Sequence, residues 1–365
     1  MHNKSADDKA FGSKGNNLPV RFFDAHHHFL DTKANGTSFQ VFLASLMPET
    51  TYLPDHYYRD VIAPLNAAGI EFLGSVHVEC LPDDGYEEAK WVLHQSCACS
   101  SASVKGIVAS FHLGRENTVT ANKELEKLAA IPHVKGIRWI LDCVGKYEGG
   151  KTATHVATIR HDGIDFLRGS EGGYDGRAIP SFERGFALLA SHQLTFDLQC
   201  APAQLLEAAN LCSRHPSVKV VIDHLGKPRM LLRPDSNDDG TAFPDERELA
   251  VWREGMRAMA SNENVYVKIS MLGYAVPGWV RSLSRITLIK SLVQETVKLF
   301  GPHRCMVATN FFQDPAFSDS GGESLVGPTP LEFLELVYSF LKQDYTEKDL
   351  DFIFASTAME FYGIV

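Results

Sequence analysis

Eight short segments rich in β-branched and aromatic residues recur along the whole chain, and their number and spacing constrain the fold more than any other feature. Most of them are near-continuous apolar runs rather than alternations of apolar and polar residues. Such runs are typical of strands that are buried on both faces of a parallel sheet. The segments are residues 21–29, 71–80, 103–111, 133–141, 194–200, 217–224, 264–270 and 304–310.

Amphipathic helices are predicted between these strands. Near residue 250, Leu249, Trp252, Met256 and Met259 recur at steps of three, four and three, which places them on one helical face. The helix in "SFERGFALLASH" is expected to begin at Ser181 as its N-cap. Eight strands that alternate with helices predict an α/β fold, a (β/α)8 barrel with long loops at the carboxyl ends of the strands.

We expect residues 20–365 to form this barrel as a single domain, preceded by a disordered or extended tail at residues 1–19. A doubly wound open sheet is the alternative, but that fold normally carries a glycine-rich phosphate turn after its first strand, and histidines stand there instead. The longest irregular stretches, 142–178, 225–246 and 311–330, follow the fourth, sixth and eighth strands. In a barrel they would share one face, so we expect them to cover a binding site, with 142–178 as a mobile cover.

Composition narrows the class of protein. The formal net charge is −10 and no basic stripe is present, which argues against nucleic acid as a partner. No apolar run reaches the length of a membrane span, and the first twenty residues lack the apolar core of a signal peptide. The seven cysteines are an odd number without a metal-knuckle pattern, which favours reduced thiols in the cytoplasm. We therefore expect a cytoplasmic enzyme with a small-molecule substrate, and homo-oligomerisation stays open.

The three consecutive histidines at 26–28 end the first strand. Because side chains alternate across a strand, His26 and His28 should face the barrel interior and His27 should pack on the other side. Two imidazoles in this arrangement can hold one metal ion or one anionic group of a substrate. An ordinary pair of hydrogen-bonded histidines is the alternative.

Polar residues also stand at the ends of nearly all the remaining predicted strands. Buried charges are costly without partners, so such a concentration at one end of a barrel is unusual for purely structural residues. Arg138 offers a fork of donors that suits a substrate carboxylate, and Lys227 adds charge nearby. The strand-end residues are His77, Glu79, Arg138, Asp197, Gln199, Asp223, His224, Lys227, Lys268, Ser270, Asn310 and Asp314.

Five of these segments carry a family resemblance: "FDAHHHF", "VKGIRW", "VIDHLGKP", "VYVKIS" and "RCMVATNFFQD". Their order resembles the amidohydrolase superfamily, in the amidohydrolase-related branch that includes sugar-acid lactonases such as L-fuconolactonase and pyrone dicarboxylate lactonase. The resemblance spans residues 21 to about 314. It implies that the first-strand histidines, a strand-six histidine and a strand-eight acid line the active site.

By this resemblance the metal-ligand role is expected for His26 and His28, with His224, and the catalytic roles fall on His224 and on Asn310 or Asp314. The sequence departs from the metal-binding pattern twice: strand five has Gln199 where many members carry a histidine, and strand eight has Asn310 where an aspartate is usual. Neutral asparagine is a poor zinc ligand and no general base. The site is therefore expected to hold one divalent ion, zinc before others, or no metal.

The leading hypothesis is hydrolysis of a small carboxylated or sugar-acid lactone, or of a related ester or amide. A zinc ion on His26 and His28 would activate water, or without metal the histidines would polarise the carbonyl while His224 or Asp314 takes the proton. Residues predicted to bind the substrate are Glu79, Arg138, Gln199 and Lys227. Two alternatives stay open: a metal-dependent decarboxylase of the same superfamily, which Asn310 disfavours, and a barrel that binds a ligand without catalysis.

Overall fold

The computed structural model describes residues 18–33, 38–98, 103–143, 164–168, 178–228, 231–232, 244–311 and 327–364. Most of the predicted tail at 1–19 and most of the predicted cover at 142–178 therefore lie outside the described residues. Among the residues it describes, no helix is long and apolar enough to cross a membrane.

Eight parallel strands form one sheet in sequential order, which confirms the predicted barrel. Each strand pairs with the next along the chain. The strands are β1 (Arg21–His27), β2 (Glu71–Val78), β3 (Val104–Ser110), β4 (Val134–Arg138), β5 (Thr195–Leu198), β6 (Val220–Ile222), β7 (Val265–Ile269) and β8 (Cys305–Val307). A short antiparallel ribbon, Leu30–Asp31 with Thr51–Tyr52, follows β1.

The barrel closes between β1 and the segment just after β8. Asn310 N donates to His26 O, and His28 N donates to Phe311 O, both at 2.8 Å. The buried carboxylate of Asp24 reinforces this seam, because it accepts hydrogen bonds from the backbone N–H of Thr309 at 2.9 Å and from its hydroxyl at 2.5 Å. The seam thus lies directly beside the histidines of β1.

Helices surround the sheet. They are α1 (Val41–Leu46), α2 (Pro54–Tyr57), α3 (Ala63–Ala67), α4 (Gly85–Ala98), α5 (Thr118–Ala129), α6 (Pro180–Ser191), α7 (Leu205–Arg214), α8 (Glu246–Ala260), α9 (Leu283–Phe300), α10 (Pro330–Leu341), α11 (Glu347–Asp351) and α12 (Thr357–Phe361). Single π-helical turns, Tyr58–Ile62 and Phe352–Ser356, join α2 to α3 and α11 to α12.

The four apolar residues predicted for one face of α8 are all buried. The prediction of Ser181 as a helix N-cap is wrong: α6 begins at Pro180 with Ile179 as its N-cap, and Ser181 is buried inside the first turn. Proline fits that first position because its fixed φ is helical and its missing N–H would have no partner there.

Two apolar layers make up the core. Outward-facing strand residues pack against the helices in the larger layer. The smaller layer fills the barrel from residues such as Phe23, Ala25, Val76 and Met306, and Tyr362 after α12 closes it from below. The predicted strands extend past the observed ones at their carboxyl ends, where φ turns positive at His224, Met271 and Asn310 and the chain leaves the sheet.

Candidate active site

The polar strand-end residues of seven strands meet inside the carboxyl end of the barrel. His26 lies near its centre: its ring centroid is 4.9 Å from that of His28 and 5.0 Å from that of His224. His26 and His224 are buried, whereas His28 is only partly buried. The structure therefore brings together the three histidines that the sequence predicted to share a ligand.

Simple strand alternation does not account for the position of His26. The pairing of β1 with β2 shifts register between Asp24 and His27, and Ala25 already belongs to the interior layer. The irregularity lets Ala25 and His26 face the interior in succession. His27 points outward as predicted: it stacks on Tyr57 with ring centroids 4.4 Å apart.

Each of the three histidines has a partner at Nδ1. His28 Nδ1 lies 2.8 Å from the Val78 carbonyl oxygen, His224 Nδ1 lies 2.9 Å from Ser270 Oγ, and His26 Nδ1 lies 3.3 Å from Lys268 Nζ. Because a carbonyl only accepts, His28 carries its proton on Nδ1 and presents the lone pair of Nε2 to the site. That Nε2 atom is 3.3 Å from His26 Nε2.

Burial lowers the pKa of all three rings. Desolvation is the largest cause for each, and it brings the pKa of His28 to about 3, with the charge of Arg138 acting in the same direction. The pKa values of His26 and His224 also fall well below the ordinary range. The histidines are thus neutral at pH 7, the form in which an imidazole donates from one nitrogen and accepts at the other.

His224 reaches the site because the backbone after β6 turns left-handed. His224, Leu225, Gly226 and Lys227 all have positive φ, between 50° and 72°. At Gly226 the close packing also excludes a side chain, since a Cβ would lie 2.7 Å from Met256 Sδ. Backbone strain of this kind persists only where surrounding packing enforces it.

Arg138 and Glu79 form a buried ion pair. Arg138 Nε donates to Glu79 Oε1 at 2.7 Å, and Nη2 donates to the Glu79 carbonyl at 2.6 Å. The remaining nitrogen, Nη1, points to the site centre, where His26 Nε2 and Gln199 Oε1 are 3.4 Å away and Asp223 Oδ2 is 3.5 Å away. Most of the guanidinium is therefore committed to Glu79, and only Nη1 faces a ligand position.

Lys227 and Gln199 are likewise held by a neighbour. Lys227 Nζ contacts Asp142 Oδ1 at 2.9 Å with both side chains fully buried, and it lies 5.5 Å above the ring of Tyr274. Gln199 Nε2 donates to the other oxygen of Asp142 at 3.4 Å. The predicted binding of a substrate carboxylate by Arg138 and Lys227 gains no support from this pairing and stays a prediction.

Three further charged residues of the site were only noted as strand-end residues in the sequence. Lys268 Nζ lies 3.0 Å from Asp223 Oδ1 and also contacts Asp197, and all three side chains are buried. Burial raises the pKa of Asp197 to about 6. The pKa of Asp223 falls well below its usual range, because the positive charge of Lys268, together with the adjacent His26, outweighs its desolvation. In the sequence, the signal for these residues was a charged side chain within or directly after an apolar strand, where a charge needs a buried partner.

Strand eight contributes Asn310. Its backbone is left-handed with φ of 51°, and its side chain lies beside His28, where it favours the charged form of that ring. Asn310 Oδ1 is buried and accepts no hydrogen bond from the described residues. Asp314, the predicted alternative, lies outside the described residues.

His26, Asp223 and His224 place donor atoms within 4.8 Å of one another, close enough to hold a metal ion together. Cations face both ring nitrogens of His26, however. Lys268 Nζ is 3.3 Å from Nδ1, and Arg138 Nη1 is 3.4 Å from Nε2. A divalent ion bound at Nε2 would lie against the guanidinium.

Comparisons with known proteins place this chain in a family. Two curated relatives match part of the chain. The protein y4mH of Sinorhizobium fredii is 32% identical over 139 residues, which cover 38% of this chain and 40% of the relative. The L-fucono-1,5-lactonase of Burkholderia multivorans is 30% identical over 132 residues, which cover 36% of this chain and 41% of the relative. The chain thus matches less than half the length of each curated relative.

Solved structures share the fold. An amidohydrolase from Burkholderia multivorans with bound zinc has a TM-score of 0.65 at 20% identity, over 94% of this chain and 99% of that one. A probable 2-pyrone-4,6-dicarboxylic acid hydrolase from Acinetobacter baumannii has a TM-score of 0.56 at 14% identity, over 94% and 99% of the two chains. The family model described as amidohydrolase matches residues 23–364, almost the whole chain, and the protein therefore belongs to the amidohydrolase family.

Proposed function

We propose that this protein is a hydrolase that opens a small sugar-acid lactone with water. The observation that carries the proposal is the convergence of His26, His28 and His224, with Nδ1 of each engaged, beside Asn310 Oδ1, a buried acceptor that receives no hydrogen bond within the described part of the chain. A lactone needs donors for its carbonyl oxygen and acceptors for the attacking water, and this set offers both. The partial match to an L-fucono-1,5-lactonase supports the choice of substrate class.

Donors at the site centre would stabilise the oxyanion of the tetrahedral intermediate. Arg138 Nη1 points there and is held from behind by Glu79. His26 and His224 supply ring N–H groups in a buried environment, where fixed dipoles are worth far more than in water. Loss of one such donor costs roughly a hundredfold or more in rate.

The attacking water would lie between Asn310 and His28. Asn310 Oδ1 accepts a hydrogen bond from one of its hydrogens, and His28 Nε2, whose lone pair faces the site, takes the other hydrogen as the new carbon–oxygen bond forms. When the tetrahedral intermediate collapses, the ring carbon–oxygen bond breaks and the protonated His28 returns the proton to the departing ring oxygen. The buried carboxylates of the described site are already paired: Glu79 with Arg138, Asp223 with Lys268. His28, with its lowered pKa, is a weak base. A lactone suits it, because a lactone carbonyl is more reactive than an amide carbonyl.

The charge of the site favours a neutral polyhydroxylated lactone over a carboxylated one. In the described part of the site, the cations Arg138, Lys227 and Lys268 each pair with an internal carboxylate. Hydroxyl groups of a sugar lactone need hydrogen bonds rather than a free cation.

The residues present do not fit a catalytic metal ion. A cation approaches each nitrogen of His26, and Asn310 supplies a neutral amide at the strand-eight position. The route proposed above therefore contains no metal step, and the enzyme is expected to keep its activity after treatment with a chelator.

A lactone panel read by a pH indicator tests the proposal. L-Fucono-1,5-lactone and D-galactono-1,5-lactone should be hydrolysed above the spontaneous rate, and faster than 2-pyrone-4,6-dicarboxylate. His28→Gln should lower the rate strongly, and His27→Gln, one residue away and outside the site, is the matched control. Release of CO2 from carboxylated aromatic acids without lactone hydrolysis would identify a decarboxylase. Lactone binding without turnover would identify a binding barrel, and either result overturns the proposal.

A further inference from the structure

Lys268 is the buried cation that links the lower part of the barrel to the histidine site. It lies on β7 with no exposed surface. Its ammonium group contacts Asp197, lies 3.0 Å from Asp223 Oδ1 and lies 3.3 Å from His26 Nδ1. Asp197 is also bound by the hydroxyl of Tyr362 at 2.9 Å, which fixes the far end of this chain of contacts.

The contact with His26 determines where that ring carries its proton. An ammonium group has three donors and no acceptor, so a hydrogen bond from Lys268 requires an unprotonated Nδ1. The ring proton is then on Nε2. Asp223 would favour the other tautomer, because a carboxylate accepts from Nδ1–H, but its Oδ1 is farther from Nδ1, at 3.5 Å, than from Lys268 Nζ, with which it forms an ion pair at 3.0 Å.

The neighbouring groups are consistent with the Nε2–H form. Without substrate, His26 Nε2–H meets the lone pair of His28 Nε2 at 3.3 Å, and His28 Nδ1–H donates to the Val78 carbonyl. Bound lactone and water would replace the contact between the two rings. Each hydrogen bond in the series from Lys268 through His26 and His28 to the Val78 carbonyl then has one donor and one acceptor. In the other tautomer the lone pairs of His26 and His28 would face each other. Arg138 Nη1, which is 3.4 Å from His26 Nε2, has Gln199 and Asp223 as other acceptors.

We propose that Lys268 is a positioning residue that holds His26 in its Nε2–H tautomer, so that the ring donates a hydrogen bond into the site and withholds its lone pair from a metal ion. The inference concerns the site of the proposed function but not its reaction, because the tautomer exists without substrate. This tautomer accounts for the poor fit of a metal ion at the first-strand histidine pair. The ring of His26 is in place, but its proton is on Nε2, the nitrogen that would bind the ion.

Nitrogen-15 NMR of histidine-labelled protein tests the proposal without any substrate. The resonances of His26 are assigned as those that disappear in His26→Gln. In the wild-type protein they should show an unprotonated Nδ1 and a protonated Nε2. A wild-type ring protonated on Nδ1 overturns the proposal whatever the behaviour of any variant.

The variant Lys268→Met removes the donor and keeps the length of the side chain. The His26 proton should then move to Nδ1, towards Asp223, and zinc affinity measured against a chromophoric chelator should rise at least tenfold. Lys227→Met is the matched control, since Lys227 is equally buried and paired with its own carboxylate, Asp142, but is not among the contacts of His26. It should leave the His26 tautomer unchanged.

An unchanged tautomer in a folded Lys268→Met protein would refute the role of Lys268, as would an equal change in Lys227→Met. If Lys268→Met does not fold, the wild-type spectrum still decides. If no lactone is hydrolysed but the His26 spectrum is as predicted, the proposed reaction is rejected and this inference stands.

Discussion

Replacing Asp24 should show how strongly the barrel seam depends on one buried carboxylate. Asp24 has no exposed surface and accepts four hydrogen bonds. Its Oδ1 atom binds the backbone N–H groups of Thr309 at 2.9 Å and His26 at 3.3 Å, and its Oδ2 atom binds the hydroxyls of Tyr57 at 2.7 Å and Thr309 at 2.5 Å. Asp24→Ala removes both acceptor atoms, and with them all four hydrogen bonds, at once.

The expected loss follows from the donors left behind. Three of the four bonds are 2.9 Å or shorter, and a buried donor without an acceptor costs about 1–3 kcal/mol. Part of this cost is offset, because burial raises the pKa of Asp24 and removing the carboxylate removes that desolvation. We therefore expect Asp24→Ala to lower the free energy of unfolding by about 3–5 kcal/mol, a large share of the stability of an ordinary domain.

Asp24→Asn should be much milder. Its carbonyl oxygen can replace Oδ1 and keep both backbone donors, while its NH2 group can donate to the two hydroxyls, which are able to rotate and accept. A cost of about 1 kcal/mol is expected.

Urea unfolding followed by circular dichroism measures both changes. Asp351→Ala is the control: that aspartate forms a partly exposed pair with Arg21, which should be worth no more than about 1 kcal/mol. An equal loss for Asp24→Asn and Asp24→Ala, or a loss below that of the control, would refute the role of the seam.

Two further predictions concern residues below or outside the site. His27→Ala should lower the free energy of unfolding by about 2–4 kcal/mol through the lost packing on Tyr57, and it should leave the KM of a substrate unchanged; a raised KM would contradict the outward position of His27. Asp197 has a folded pKa of about 6, above its unfolded value, so the folded state favours its protonated form. Relative to Asp197→Asn, the wild-type protein should therefore lose stability as pH rises from about 4 to 6, by up to about 3 kcal/mol. Urea unfolding at several pH values measures this trend, and a difference independent of pH would contradict it.

The sequence by itself determined the barrel and the location of its site. Eight apolar segments with amphipathic helices between them were sufficient, because strand and helix periodicities are local properties of the chain. The position of His26, His28 and His224 at one barrel end followed from the same rule: carboxyl ends of parallel strands meet at one face.

Only the tertiary structure decided the partners of the charged residues. Arg138 is bound by Glu79 and Lys227 by Asp142, which lie 59 and 85 positions away in the chain. Sequence reasoning assigned both cations to a substrate because it could not tell which carboxylates would reach them. The register shift in β1 that turns His26 inward is equally non-local, since it depends on pairing with β2. Pairing between strands depends on which side chains come into register across the sheet, and no short-range pattern in the chain encodes that register.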